Sequence, residues 1–147
     1  MTGWRELVAG LLPEATFGEP ATGAEVRAIV DGLGQPVPKD LTALLCEVGS
    51  VRDSYGTEVV WSAARILRDN RSFRADADYR SLYMPFEPLM FFGDAPDASQ
   101  FGFVRQPVRP DVFVWDHETD GRWWVARDLE DYLRRAFATT DPDWWCR

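Results

Sequence analysis

Histidine and lysine each occur once in these 147 residues, and cysteine only twice. One histidine, His117, and two distant thiols cannot furnish the three or four nitrogen and sulfur ligands of a usual zinc site. Cys46 and Cys146 form no CxxC spacing, and a chain with 46% hydrophobic residues can build a core without a disulfide. Reduced thiols and a cytoplasmic setting are the expectation. Long apolar runs are also missing. The stretch 7–12 is interrupted by Gly10 and closed by Pro13, far short of the roughly 18 residues a membrane span needs. It follows a start without a basic region, so no signal peptide is expected. Positive charge is scarce: 16 basic residues face 24 acidic ones, a net charge of -8. That balance argues against a sequence-independent nucleic-acid binder, which must neutralise phosphates, and favours a basic partner. The glycines of 32–34 and 93–102 match neither a dinucleotide fingerprint nor a P-loop, so no cofactor is expected.

What the chain does have is enough apolar and aromatic residues, the latter 14%, to order one domain of this length. Residues 4–12 suit a short helix. Thr22-Gly23-Ala24-Glu25 is a capping-box pattern ahead of Val26, Ile29, Val30 and Leu33 at helical spacing. Leu41, Leu44, Leu45 and Val48 repeat that spacing over residues 38–48, with Gly49 at the stop. Residues 51–61 read as a short strand or hairpin, with 59–61 its best strand. Ser62 caps a third helix to about Asn70, and the polar stretch 71–83 reads as a long surface loop. Leu89-Met90-Phe91-Phe92 has the pattern of a strand covered on both faces, expected at the centre of a sheet. Strands near 101–105, 112–116 and 123–127 follow, the last two joined at Asp120-Gly121. Asp128 caps a final helix bearing Leu129, Tyr132, Leu133 and Phe137 on one face. The strands lie too close in sequence for parallel crossovers. The expected fold is therefore α+β: an antiparallel sheet of about four to six strands, with N-terminal helices and one C-terminal helix packed on it.

Candidate chemistry is sparse. His117 between Asp116 and Glu118 reads either as a carboxylate-oriented general base or as a solvated turn residue, and no GxSxG elbow supplies a nucleophile. Asp94, Asp97 and Ser99 have the alternation of a calcium loop but lack its Gly and its closing Glu; the alternative is a turn using Asp94 to bond local N–H groups. The basic run Arg65, Arg68, Arg71, Arg74 and Arg80 is interleaved with acids and reads as a solvated, ion-paired face. Phe91, Phe101, Phe113 and Trp115 are core candidates. Trp123 and Trp124 must face opposite ways on a strand, leaving one of them as a contact candidate. Trp144 and Trp145, after Pro142, either pack on the domain or stand out as interface anchors.

The order of several segments carries a resemblance. Val37-Pro38-Lys39-Asp40-Leu41-Thr42-Ala43-Leu44-Leu45, the stretch 89–104 (LMFFGDAPDASQFGFV), 111–118 (DVFVWDHE) and 128–133 (DLEDYL) resemble, in that order, the motifs of the SUKH superfamily of Smi/Knr-like cell-wall regulators and bacterial immunity proteins. The family-like core would span about 37–138 of a single domain 1–147, with 1–36 as a helical extension. Where the family often has a double glycine, this chain reads Asp94-Ala95-Pro96-Asp97-Ala98-Ser99. The resemblance implies a non-enzymatic protein-binding domain: an immunity protein covering a basic toxin such as a nuclease, or a regulatory scaffold with no toxin partner. Acidic residues on loops bordering the sheet, Asp94, Asp97, Asp116 and Glu118, together with His117, are the expected partner contacts. Neither role needs a metal or cofactor.

Overall fold

The computed structural model describes residues 3–138 and 144–146. In chain order the elements are α1 (Trp4–Leu11), β1 (Thr16–Phe17), α2 (Gly23–Leu33), α3 (Lys39–Val48), β2 (Val51–Arg52), β3 (Glu58–Val60), α4 (Ala63–Ala75), α5 (Ala77–Leu82), β4 (Leu89–Asp94), β5 (Gln100–Arg105), β6 (Val108–Trp115), β7 (Arg122–Ala126) and α6 (Leu129–Ala138). The fold is α+β. Its strands divide into two antiparallel sheets, β1-β2-β3 and the meander β4-β5-β6-β7.

Local chemistry explains most element ends. Thr22 and Glu25 form the capping box of α2, each side chain accepting the other's backbone N–H. Gly49 ends α3 at φ 77°, and a Cβ there would lie 1.8 Å from the Glu19 carbonyl, so only glycine fits. α1 has no side-chain cap of its own. Instead Glu47 reaches across from α3 and accepts the N–H groups of Trp4 and Arg5 at 3.0 and 2.8 Å.

Two expectations are corrected. The stretch 71–83 is helical: α4 runs five residues beyond Asn70 to Ala75, and α5 follows at once. Asp76 caps α5 by accepting from Asp78 N and Tyr79 N. The pair is pinned from below, because Phe73 stacks on Tyr79 at 5.5 Å and meets Phe86, Phe91 and Trp115 edge-on. Isolated aromatics in a polar stretch were the visible trace of that packing. Second, β4 stands first in its sheet rather than centrally. It is nevertheless buried over Leu89 to Gly93, because its outer edge is occupied. Asn70 donates to Phe91 O at 2.8 Å and accepts from Phe91 N at 2.8 Å, acting as a strand partner, and Trp61 N donates to Phe92 O at 2.7 Å.

Adjacent residues of β4 feed opposite aromatic clusters. Phe91 joins Phe73, Phe86 and Trp115 beneath α4 and α5, whereas Phe92 joins Phe103 and Tyr132 of α6. Where the small sheet meets β4, α6 joins the seam: the buried Tyr132 hydroxyl donates to Val59 O at 2.7 Å. Trp145 is buried, and Trp144 stacks on Phe101 at 5.5 Å, which is the packed alternative for that pair; Pro142 lies outside the described residues.

Candidate functional site

Hairpin turns from both sheets meet at one end of the molecule, and each is shaped by its own acidic residue. In the 53–57 turn, Asp53 accepts the N–H groups of Tyr55 and Thr57, leaving Tyr55 93% exposed at the tip. In the 95–99 turn, Asp97 accepts Ser99 N at 2.9 Å and the Ser99 hydroxyl at 3.3 Å. Ala98 there adopts φ 75°, the left-handed region that glycine favours. In the 116–121 turn, Asp116 accepts Glu118 N at 2.9 Å. Asp120 accepts Trp115 Nε1 at 2.8 Å and Met84 N at 3.0 Å, tying the turn to the segment after α5.

Of the expected contact residues, Asp97, Asp116, His117 and Glu118 come together, since the buried Ser99 Oγ lies 3.4 Å from His117 Nδ1 and bridges their turns. Asp94 stands apart. Its carboxylate takes Arg65 through both terminal nitrogens, at 2.8 and 3.1 Å. Arg65 also binds Asp69 at 2.9 Å, makes a short bond to Glu58, and lies 4.1 Å above the Trp61 ring. Burial alone would lower the guanidinium pKa, but the hydrogen bonds it donates to Asp94, Asp69 and Glu58 raise it. Burial would raise the Glu58 carboxyl, and hydrogen bonds from Arg65 and Arg52 outweigh it and hold it below the usual range. The basic run is thus only partly a solvated face: Arg65 and Arg74 are half-buried, while Arg68, Arg71 and Arg80 remain exposed.

The geometry limits what this end can do. Asp97 is bonded to the serine, whereas a nucleophile relay places the acid behind the imidazole. The carboxylate near His117 Nε2 is Glu118 at 4.0 Å, beyond hydrogen-bonding distance. Asp94 and Asp97 have separate partners and do not converge as a calcium loop; the local N–H bond expected of Asp94 is instead accepted by Asp97 from Ser99, because Asp94 is taken by Arg65. Among the described residues no group of three or more His, Cys, Asp or Glu side chains is placed to hold a metal ion. Cys46 carries a free, exposed thiol, and Cys146 is exposed as well. What the arrangement offers is charge: Asp53, Asp97 and Asp116 have no ion-pair partner among the described residues, and Glu118 has only His117. Asp53 and Tyr55 were not among the expected contacts, although Asp-Ser-Tyr-Gly is itself a turn signature.

The SMI1-KNR4 cell-wall family model of the SUKH group matches residues 25–133, from the first turn of α2 into α6. The chain belongs to the SUKH superfamily. No curated protein matches it. SUKH domains are protein-interaction domains, and this one is SMI1/KNR4-like. The matched span contains all three turns of the acidic end, the Arg65 knot and the strands that carry them. Among the described residues of this SUKH protein, no helix is long and apolar enough to cross a membrane.

Proposed function

We propose that this SUKH domain binds a basic protein through its acidic turn end and, as an immunity-type protein, covers the functional cleft of a toxin such as a nuclease. The observation that carries the reading is the set of carboxylates with no arginine or lysine partner among the described residues, Asp53, Asp97, Asp116 and Glu118, on the turns of this end, with Tyr55 exposed at the tip of one turn. A cleft that handles nucleic acid is basic. An acidic inhibitor is steered to such a cleft and is complementary to it once docked. Tyrosine is among the residues that most often anchor interfaces. The domain acts by occupancy in a cytoplasmic setting, with no chemical step and no cofactor.

The test is capture by the tagged protein from its native cytoplasm at low and moderate salt, followed by association kinetics with the retained protein. A single basic partner with nuclease activity is expected, and reversing two charges (Asp97→Lys with Glu118→Lys) should slow association at least tenfold at low salt. An unchanged rate removes the electrostatic argument. The family's cell-wall description favours a second reading, a regulatory scaffold without a toxin, and retention of envelope or signalling proteins would establish it.

A further inference from the structure

The opposite end of the large sheet differs in chemistry. The β5–β6 turn, the loop before α3 and the first residues of α6 enclose a groove of about 390 Å³. Its walls are apolar, with Val37, Pro38, Phe103, Pro110 and Leu129 among them, and Val108 on its rim is 62% exposed. Arg105 also lines it, only 5% exposed. Its guanidinium donates to the carbonyls of Val104 and Pro36 at 2.8 and 3.1 Å and makes a short bond to Arg109 O. Among the described residues no carboxylate pairs with it. Burial pushes its pKa below the ordinary arginine value, as expected of a cation without a counter-charge.

Of the charged residues lining the groove, Lys39, Arg105, Arg109, Asp40 and Asp128, Arg109 is paired with Asp111 at 3.1 Å, and Asp128 caps α6 by accepting Asp131 N at 2.8 Å. Arg105 and Lys39 are the cations left without an ion pair among the described residues. The groove also receives the start of α3, which has Pro38 at its cap position and no side chain capping it. Its leading N–H groups add partial positive charge.

We infer that this groove binds the carboxyl-terminal end of a partner polypeptide whose last residue is aliphatic. A carboxylate meets Arg105, Lys39 and the start of α3, while an apolar side chain meets the walls of the same small volume. A C-terminal aliphatic residue carries both groups on one Cα. An internal Asp or Glu would put its carboxylate where the walls demand an apolar group.

The experiment titrates the full chain, followed by NMR, with N-acetyl-Ala-Val-Leu bearing a free carboxylate, with the same peptide as its C-terminal amide, and with hexanoate. Saturable shifts at the Val108 methyls and the Arg105 side chain are expected, with the amide at least tenfold weaker and hexanoate weaker still. Val108→Glu, on an exposed position, should abolish binding without lowering the unfolding temperature, and Lys39→Glu should weaken it several-fold. Asp97→Lys, at the other end, should leave it unchanged. Equal binding of acid and amide, shifts located elsewhere, hexanoate binding as well as the peptide, or no saturation at millimolar peptide would each overturn the assignment.

Discussion

Arg65 and Arg74 belong to the same helix and are held by opposite means. Arg65, at the start of α4, is gripped by the carboxylates of Glu58, Asp69 and Asp94. Arg74, near its end, donates to Leu33 O at 3.1 Å, Gln35 Oε1 at 2.6 Å and Leu89 O at 3.2 Å, all neutral acceptors. Arg105 repeats the second pattern with three carbonyls. At the acidic end, then, arginine charge is consumed within the fold, and the carboxylates beyond the knot stay free for a partner. At the other end the folded chain meets the terminal N–H groups of Arg74 and the guanidinium of Arg105 with neutral acceptors, leaving Arg74 Nε buried without one. The two ends of β4 thus hold their arginines by different means.

The sharpest way to break this comparison is to remove each arginine. Arg74→Met should cost about 3 kcal/mol, because three acceptors in a half-buried site lose their donor. Arg65→Met should cost about 2 kcal/mol, less than a fully buried ion pair since solvent still reaches the site. The pH dependence separates them. The Glu58 carboxyl is depressed in the folded state from an ordinary value of 4.5. Its contribution is therefore complete above that value and lost as pH falls through the folded pKa. The cost of Arg65→Met should shrink as pH falls below about 4.5, whereas that of Arg74→Met should change less, because its hydrogen-bond acceptors are neutral and Glu87 acts on it only through space. Chemical unfolding of both variants between pH 3 and 7 checks this, and parallel curves would refute the distinction.

A smaller effect tests whether neutral acceptors also serve at the acidic end. Tyr132 is fully buried and donates to Val59 O. Burial first, then the Asp94 and Asp53 carboxylates, push its pKa well above the ordinary value of 10, so it remains a neutral donor. Tyr132→Phe should cost about 1 kcal/mol, a fall in melting temperature of about 2–4 °C for a domain of this size, with the same loss at pH 6 and pH 9. A loss that vanishes at pH 9 would mean the phenol ionises, and the seam between the sheets would then belong with the charged contacts.

How much of this was legible in the sequence depended on how local the cause was. The capping box at Thr22, the Gly49 stop and the Asp120-Gly121 hairpin are written in neighbouring residues, and the corresponding elements stand where the spacing placed them. Fold class followed from the order of strands and helices. The α4–α5 segment was missed because its stabilisation comes from Phe86, Phe91 and Trp115, distant in sequence, and the polar residues around Phe73 and Tyr79 masked the helical face. Asn70 as a strand partner had no signal at all, because an amide within a helix looks like any solvated residue. At the candidate site, the charge pattern found the turns that bear Asp97, Asp116, His117 and Glu118. It did not separate Asp94 from them, since sequence spacing does not reveal which carboxylate an arginine on another element will claim.

The smallest expected effect bears on why the 95–99 turn is built as it is. Ala98 sits at φ 75°, where a Cβ costs about 1 kcal/mol relative to glycine, and its side chain is exposed, so packing does not repay the strain. Ala98→Gly should therefore raise stability by about 0.5 kcal/mol, the relief being partly offset by the greater freedom of glycine in the unfolded chain. If the alanine is retained because it stiffens the turn that presents Asp97, the same change should weaken capture of a basic partner, mainly through faster dissociation, while leaving the Arg105 groove untouched. A variant that is more stable and binds equally well would place the strain outside the binding function. A variant that is less stable would show that the turn is held by contacts stronger than its backbone preference. Measuring stability and dissociation on one protein decides among these outcomes, and does so without disturbing the carboxylates that distinguish the acidic end from its counterpart.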